Sequence, residues 1–145
     1  MNLLEILKAY FKEENISLIG NEVFRCVKRS NGSQPYQVVY VDGSNGWVEN
    51  DLQTYLEPIL ANDYYSSPGY LQWNFYYYFI SVAELISENT DLKKEIETDE
   101  SFARKFVMTI DEFNSWLDSN IQISAPSTNT ITKDLFSILG PLLLY

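Results

Sequence analysis

The run from Leu71 to Val82 constrains the fold more than any other part of the chain, because it is the most aromatic stretch. Large side chains fill both sets of alternating positions: Trp73, Phe75, Tyr77 and Phe79 in one set, and Asn74, Tyr76, Tyr78 and Ile80 in the other. A strand that is apolar on both faces is typical of the interior of a sheet, with layers packed above and below it. We therefore predict one long strand here, central in its sheet.

The segment after this strand predicts a crossover back into the same sheet. Ala83 to Asp99 has an acidic, helical pattern that breaks near Asn89-Thr90, and Phe102 to Thr109 has the composition of a strand. If the two strands are parallel, the strand–helix–strand unit from Leu71 to Val107 is expected to be right-handed.

The first part of the chain predicts a helix followed by a hairpin. Leucine, isoleucine and aromatic residues recur at helical spacing from Asn2 to Glu14. Asn21 to Lys28 and Tyr36 to Asp42 have the patterns of strands, and the turn-forming residues Ser30 to Ser33 separate them. These two strands are expected to pair as an antiparallel hairpin.

Further helices are predicted after the hairpin and after the second long strand. Trp47 to Asn62 is helical in pattern, and Pro58 is expected to kink it or to end its first part. Thr109 and Glu112 have the spacing of a capping box, which predicts that a short helix begins there. Beyond it we predict a loop, a final helix and an apolar tail: Gln122–Asn129, Ile131–Leu139 and Leu142–Tyr145.

Together these segments predict an α+β protein that forms a single domain, residues 1–145. Its mixed sheet is expected to contain about four strands, an N-terminal hairpin plus a β-α-β unit, packed with helices. The chain has the length of one ordinary domain, and its 46% hydrophobic residues supply enough material for a core.

The net charge of −10 limits the classes of partner that the protein can bind directly. A protein that holds nucleic acid by neutralising phosphates needs the opposite charge, so we expect neither direct nucleic-acid binding nor an anionic membrane partner. A basic protein partner is compatible with this charge, although the charge can equally serve solubility alone. The single cysteine, Cys26, excludes an internal disulfide and fits a reducing compartment.

The ends and the hydropathy of the chain give an expectation for its location. Charged residues interrupt the first fifteen positions, so we do not expect a secretory leader there. No apolar run approaches the roughly 20 residues of a membrane-spanning helix. The simplest expectation is a cytoplasmic protein.

The sequence gives little support for catalysis. It contains no histidine, which excludes Ser-His-Asp and Cys-His mechanisms and every histidine-ligated metal site. A metal-dependent nuclease using Asp42 is the alternative, because several carboxylates lie near predicted strand ends: Asp42, Glu49, Asp51, Glu95, Glu97 and Asp99. No Glu-x-Lys pattern accompanies them, and no glycine-rich phosphate loop is present. We therefore expect no enzyme activity, no metal and no cofactor.

The eleven tyrosines allow a third interpretation. Clusters such as Tyr76 to Tyr78 can stack on bases or on a small ligand in a tyrosine-rich pocket, as a free-standing ligand-binding module would require. Aromatic residues at strand spacing are more often core, and the surplus aromatics can instead form a partner surface.

A short charged motif resembles one bacterial family. Ile96-Glu97-Thr98-Asp99 is followed after four residues by Arg104-Lys105-Phe106-Val107, and Trp73-Asn74 begins the preceding strand. The segment from Leu71 to Val107 is similar to the middle component of the ABC-three-component systems, which include the small subunit of Lamassu-type anti-phage and anti-plasmid defence.

The resemblance implies a non-catalytic function. Such a subunit is encoded with an SMC-like ABC ATPase and an effector, often a nuclease, and acts as an adaptor that bridges or regulates the two. It also marks Trp73, Asn74, Glu97, Asp99, Arg104 and Lys105 as the motif residues.

The charges of this motif allow two roles. Glu97 and Asp99 lie at a predicted helix end, and Arg104 and Lys105 lie at a predicted strand start, so they can form an ion-pair network across the turn. That network would brace the helix against the strand. Alternatively, the basic pair or the acidic helix faces complementary charge on a partner protein.

Overall fold

The computed structural model describes residues 2–124, with side chains described as far as residue 119. It contains seven α-helices and five strands in that range. The helices are α1 Leu3–Tyr10, α2 Gly46–Glu49, α3 Leu52–Ser66, α4 Gly69–Gln72, α5 Ala83–Ser87, α6 Thr90–Thr98 and α7 Ile110–Ser124. The strands are β1 Ile16–Gly20, β2 Val23–Arg29, β3 Pro35–Asp42, β4 Phe75–Ile80 and β5 Arg104–Met108.

The five strands form one mixed sheet in the order β1-β2-β3-β4-β5. Strands β1, β2 and β3 pair antiparallel, whereas β3, β4 and β5 are parallel. The predicted α+β class with a mixed sheet is therefore confirmed. β4 pairs with a strand on each side, as its apolar faces indicated.

The sheet has five strands instead of the predicted four. The additional strand is β1, which forms a tight hairpin with β2 through the turn at Asn21 and Glu22. Glu22 has a φ of 59°, a conformation that few non-glycine residues adopt. Gly20-Asn21 is a hairpin signal, but the predicted strand Asn21 to Lys28 begins inside this turn, and Ile16 to Gly20 was not assigned to a strand.

The central aromatic strand is shorter than predicted. Leu71 and Gln72 belong to the one-turn helix α4, which follows Pro68 and Gly69. Trp73 then ends that helix in a helical conformation, and β4 begins only at Phe75. Proline fixes the φ angle at the start of a helix, so Pro68-Gly69 begins the helical turn α4. This turn was not predicted, because Leu71 to Trp73 fit the alternating pattern of the strand that follows.

The acidic helix divides where the sequence predicted. Helix α5 ends at Ser87 and α6 begins at Thr90. Pro58 lies inside α3, and that helix continues beyond it to Ser66. Asp51 begins α3, where its carboxylate accepts a hydrogen bond from the Thr54 N–H at 3.1 Å.

One face of the sheet packs against helices α2 to α6, and we call it the helical face. Its buried residues come from three parallel strands and from the helices above them: Val38, Tyr40, Trp47, Leu56, Leu60, Leu71, Phe75, Tyr77, Phe79, Ile96, Ala103 and Val107. At about 25 cal/mol per Å², burial of this apolar surface is the main stabilising contribution to the fold.

The structure divides after Ile110 into two compact units, which are described separately. The sheet and helices α1 to α6 belong to the first unit, and α7 extends into the second. Helix α7 covers residues 122–124, where a loop was predicted, so that part of the prediction is wrong. The predicted final helix Ile131–Leu139 and the apolar tail lie outside the described residues. In residues 2–124, no helix is both long and apolar enough to cross a membrane.

Candidate functional site

A row of four polar side chains crosses the helical face, one from each of β2 to β5. The strand register aligns Arg25 with Tyr40, Tyr40 with Tyr77, and Tyr77 with Lys105. Neighbouring residues in register point to the same face of a sheet, so these side chains lie side by side among apolar residues. We call this set the polar row. Each member contacts a carboxylate from another part of the first unit.

The first carboxylate is Asp63 of α3, which binds both Arg25 and Tyr40. The Arg25 guanidinium forms a bidentate pair with it, at 2.8 Å from Nε and 3.1 Å from a terminal nitrogen. The Tyr40 hydroxyl donates to the same carboxylate. A bidentate arginine pair fixes geometry strictly, so this contact sets the position of α3 on the sheet.

The second carboxylate is Asp42, which is fully buried at the end of β3. One of its oxygens accepts from the Tyr55 and Tyr77 hydroxyls, each at 2.6 Å. The other accepts from the Ser44 N–H at 2.9 Å and the Ser44 hydroxyl at 2.6 Å. A buried carboxylate is tolerated only when hydrogen bonds replace its water, and four donors do so here.

The tyrosines of these clusters hold their protons tightly. Burial and the adjacent Asp42 carboxylate raise the pKa of Tyr77 far above its usual range. Burial and the hydrogen bond to Asp42 also raise the pKa of Tyr55, to about 12. The pKa of Tyr40 rises because of burial and its hydrogen bond to Asp63. All three hydroxyls therefore stay neutral near pH 7 and serve as donors.

The third carboxylate is Asp99, which binds Lys105 at the opposite end of the polar row. The Lys105 side chain has 0% exposure, and its ammonium lies 2.9 Å from the Asp99 carboxylate. The same ammonium also donates to the backbone carbonyls of Asp99, Ser101 and Ala103, at 3.1, 2.7 and 2.9 Å. The segment from α6 to β5 thus wraps around one lysine.

The pKa values of this pair show the two opposing effects of burial. Burial lowers the pKa of Lys105, although its hydrogen bond and charge interaction with Asp99 act in the opposite direction. For Asp99, burial acts to raise the pKa, but hydrogen bonds from Lys105 and from the Ser101 N–H outweigh it and lower the pKa. The 2.9 Å contact and the carbonyl acceptors around the ammonium are the geometry of an ion pair between Lys105 and Asp99.

Glu97 contacts neither basic residue of its motif. Its carboxylate accepts from the Lys93 ammonium at 2.9 Å, one helical turn away, and from the Val107 N–H at 2.9 Å. Among the described strands, β5 pairs only with β4 and is an edge strand. Glu97 therefore covers a backbone donor that an edge strand would otherwise expose.

Arg104 is the exposed member of the basic pair. Its guanidinium carbon lies 5.7 Å from the centre of the Tyr76 ring, which neighbours it in register on β4. In the described part of the chain it forms no ion pair, so the expected arginine–carboxylate contact of this motif is absent there. The bidentate arginine pair occurs at Arg25 and Asp63 instead.

Trp73 and Asn74 lie at the amino-terminal end of β4, beside the start of β3. The Asn74 side chain donates to the Tyr36 carbonyl at 3.0 Å, and the Tyr70 hydroxyl donates to the Pro35 carbonyl at 3.1 Å. Trp73 is 84% exposed, and Tyr36 and Tyr70 are about half exposed. We call Tyr36, Tyr70 and Trp73 the aromatic edge.

The carboxylates considered for a nuclease do not converge. Asp42 is enclosed by its four donors, Asp51 caps α3, and Asp99 binds Lys105. Among the residues with described side chains, no group of three or more metal-ligating side chains is placed to hold an ion. Tyr77 of β4 stacks on Tyr40 at 5.6 Å between ring centres, and Tyr78 stacks on Phe106 at 5.2 Å, whereas Tyr76 lies against Arg104.

The Arg25–Tyr40–Asp63 cluster was not predicted from the sequence. The signal was present in β2, where Arg25 lies between Val23 and Val27 on one face. An arginine between two buried valines requires a carboxylate partner, but 38 residues separate it from Asp63.

Comparisons with protein-family models, with curated proteins and with solved structures found no match to this chain.

Proposed function

We propose that the protein is a non-catalytic adaptor subunit that binds larger proteins through its surface. The aromatic edge is the observation that carries this proposal. Trp73 exposes 84% of its surface although a tryptophan gains more from burial than any other side chain. Tryptophan and tyrosine are enriched at the centres of protein interfaces, where a few residues supply most of the binding energy.

The backbone beneath the aromatic edge is held in place, which favours recognition. The Asn74 carbonyl accepts from the Val38 N–H at 3.0 Å, and the Asn74 side chain binds the Tyr36 carbonyl. The Gln72 side chain also donates to the Tyr64 carbonyl at 2.7 Å, which ties α4 to α3. A surface fixed before binding loses little conformational entropy when a partner docks.

The interior chemistry supports a structural use of the charged groups. Every buried side-chain nitrogen and oxygen among the described residues has a hydrogen-bond partner. The three carboxylates that contact the polar row, Asp42, Asp63 and Asp99, accept hydrogen bonds from arginine, lysine, tyrosine and serine donors. A general base or a nucleophile must reach its substrate, and these groups contact one another instead.

The resemblance of the charged motif names the partners in this proposal. They are an SMC-like ABC ATPase and an effector, often a nuclease, in a bacterial anti-phage defence complex of the Lamassu type. The protein would act in the cytoplasm, between the subunit that senses foreign DNA and the subunit that attacks it. Its net charge of −10 favours partner surfaces that are basic.

Affinity purification of the tagged protein from its native host tests the proposal. The wild-type chain is expected to retain an ATPase and an effector, identified by mass spectrometry. Trp73→Ala is expected to reduce their recovery at least tenfold, because truncation of a central interface tryptophan typically costs 2 kcal/mol or more. Val82→Ala is the matched control, since Val82 is 62% exposed but lies beyond the opposite end of β4.

Two results would contradict the adaptor function. The first is recovery of the same partners at wild-type levels by Trp73→Ala, with thermal unfolding unchanged in both variants. The second is turnover of a nucleic acid by the purified protein with Mg²⁺ or Mn²⁺, abolished by a single change such as Asp42→Asn.

A further inference from the structure

The chain contains two Asn-Gly pairs, and each lies in a connection that follows a strand of the sheet. Asn31-Gly32 lies between β2 and β3, and Asn45-Gly46 lies where β3 leads into α2. Asparagine is a thermolabile residue, and it is most reactive before glycine, where no side chain shields the next main-chain nitrogen. The structure places the two pairs in opposite environments.

The first pair occupies the centre of a tight turn. The Ser30 carbonyl accepts from the Ser33 N–H at 2.9 Å, and the Ser30 N–H donates to the Gln34 carbonyl at 2.8 Å. The Arg29 guanidinium also donates to the Ser33 carbonyl at 3.1 Å. Both ends of the turn are therefore held, and the Asn-Gly pair lies between them.

The atoms of the first pair that can react with each other are unoccupied. In the part of the chain that the structure describes, no hydrogen bond engages the Asn31 side chain or the Gly32 N–H, and both residues are exposed. A Cβ added at Gly32 would meet nothing within 4 Å. Type I and type II turns differ mainly by rotation of their central peptide, and glycine at the third position tolerates both. The Asn31–Gly32 peptide can therefore rotate while the ends of the turn stay in place.

The corresponding atoms of the second pair are held by hydrogen bonds. The Gly46 N–H donates to the Ser44 hydroxyl at 3.2 Å. The Asn45 carbonyl accepts from the Val48 N–H at 3.2 Å, and the Asn45 side-chain oxygen accepts from the Ser81 hydroxyl at 2.6 Å. Rotation of this peptide breaks these contacts, so the Gly46 nitrogen approaches the Asn45 side chain only after local unfolding.

We propose that Asn31 is a self-modification site, at which the Gly32 nitrogen converts the asparagine to aspartate and isoaspartate. The Gly32 main-chain nitrogen attacks the Asn31 Cγ, and the new N–C bond closes a succinimide ring. The Cγ–Nδ2 bond breaks, and ammonia leaves with the proton of the Gly32 N–H. Water then opens the ring at either carbonyl and yields aspartate or isoaspartate. The reaction needs only water, and it is independent of the proposed adaptor function.

The products change one end of the sheet. Either product adds a negative charge to a chain of net charge −10, in a turn that binds the Arg29 guanidinium. Isoaspartate also adds a carbon atom to the main chain of the turn. Tyr36 of the aromatic edge lies at this end, because β3 begins at Pro35 directly after the turn. The modification thus distinguishes older from newer molecules at the end of the sheet that carries the aromatic edge.

Incubation of the purified full chain in mildly alkaline buffer, with and without guanidinium chloride, tests the proposal. Digestion and mass spectrometry detect the replacement of NH₂ by OH at each asparagine, and electron-transfer fragmentation separates isoaspartate from aspartate. In the folded chain we expect Asn31 to convert at least about tenfold faster than Asn45, because local unfolding limits the second site. In denaturant the two rates should be similar. Both rates should rise with pH, because the attacking nitrogen reacts without its proton.

Two glycine variants separate the chemistry of the turn from general stability. Gly32→Ala should slow the conversion of Asn31 at least about tenfold, because the added methyl group shields the nitrogen and resists rotation of the peptide. The variant should fold like wild type, since the added Cβ has open space. Gly69→Ala is the matched control, because its added Cβ also has open space, and it should leave the rate at Asn31 unchanged. Thermal unfolding checks that both variants are folded.

Three results would overturn the modification site. The first is an unmodified Asn31 in the folded chain after a time in which the denatured chain converts. The second is equal conversion of Asn31 and Asn45 in the folded chain, and the third is a wild-type rate in Gly32→Ala. None of these results affects the Trp73 experiment, and failure of the Trp73 experiment leaves the rate at Asn31 unchanged.

Discussion

The side chain of Lys105, with its ammonium group, is fully buried in a chain that has a net charge of −10. Transfer of a lone ammonium to such a place is costly, and the structure offsets that cost with one carboxylate and three carbonyls. All four acceptors come from residues 99–103. The charge therefore shapes the connection between α6 and β5, and replacing it would affect the whole connection.

The Asp99–Lys105 pair predicts a specific loss of stability in acid. The folded-state pKa of Asp99 lies below its ordinary value of 3.8, so the pair stabilises the fold fully above that value. This contribution disappears as the pH falls below about 3.8 and through the folded-state pKa. Asp99→Asn should therefore be less stable than wild type at neutral pH and should lose less stability between neutral pH and about pH 3.

Urea unfolding at the two pH values measures this difference. Glu95→Gln is the control, because it removes an exposed carboxylate from the same helix and should follow the wild-type dependence on pH. An Asp99→Asn variant that loses as much stability as wild type on acidification would contradict the assignment.

At the residue scale, the sequence predicted local contacts better than distant ones. Asp99 and Lys105 are six residues apart, so a helix end and a strand start bring them together whatever the rest of the fold. Arg25 and Asp63 are 38 residues apart, and only the packing of α3 on the sheet joins them. For Arg104, the sequence could not distinguish a carboxylate partner from the Tyr76 ring.

At Gly46 the backbone of α2 lies very close to the Tyr55 side chain of α3. A side chain added at Gly46 would place its Cβ 2.5–2.7 Å from atoms of the Tyr55 ring. That ring cannot easily move, because its hydroxyl binds both Asp42 and Ser44. The glycine is therefore required by packing at the point where α2 begins.

Gly46→Ala is accordingly expected to destabilise the protein by about 1–3 kcal/mol, through overpacking and a weakened Tyr55–Asp42 hydrogen bond. Gly69→Ala is the matched control, since nothing lies within 4 Å of its added Cβ and the residue begins helix α4. That change should be neutral or slightly stabilising. Denaturant unfolding measures both, and equal stabilities of the two variants would refute the packing argument.

At the element scale, predictions from the sequence were correct where helix-breaking residues or a regular alternation of side chains were clear. The break between α5 and α6 and the interior position of β4 followed from Asn89-Thr90 and from the aromatic alternation. Strand β1 was missed although Gly20-Asn21 is a hairpin signal, because the predicted strand began at Asn21 and so included the turn residues Asn21 and Glu22. The start of β4 was misplaced because Leu71 to Trp73 continues the aromatic alternation while its backbone is helical.

At the scale of the whole sheet, the Glu97 carboxylate covers one backbone N–H on the edge strand β5, and a substitution can remove it. Glu97→Ala releases the Val107 N–H on β5 while leaving the Lys105–Asp99 pair in place. We expect at least tenfold faster hydrogen exchange at the Val107 amide and increased self-association at high protein concentration. Glu95→Ala, an exposed change on the same helix, is the control.

Exchange measured by NMR and sedimentation at several concentrations test this prediction. Unchanged exchange at Val107 in Glu97→Ala would show that the carboxylate does not protect the strand.

The covered edge also limits how the sheet can grow. A sheet with both margins open can add units without limit, and such growth leads to fibres. On β5 the Glu97 carboxylate binds the Val107 N–H, so a strand added at that margin would have to displace it. One acidic side chain of α6 therefore opposes polymerisation through this margin.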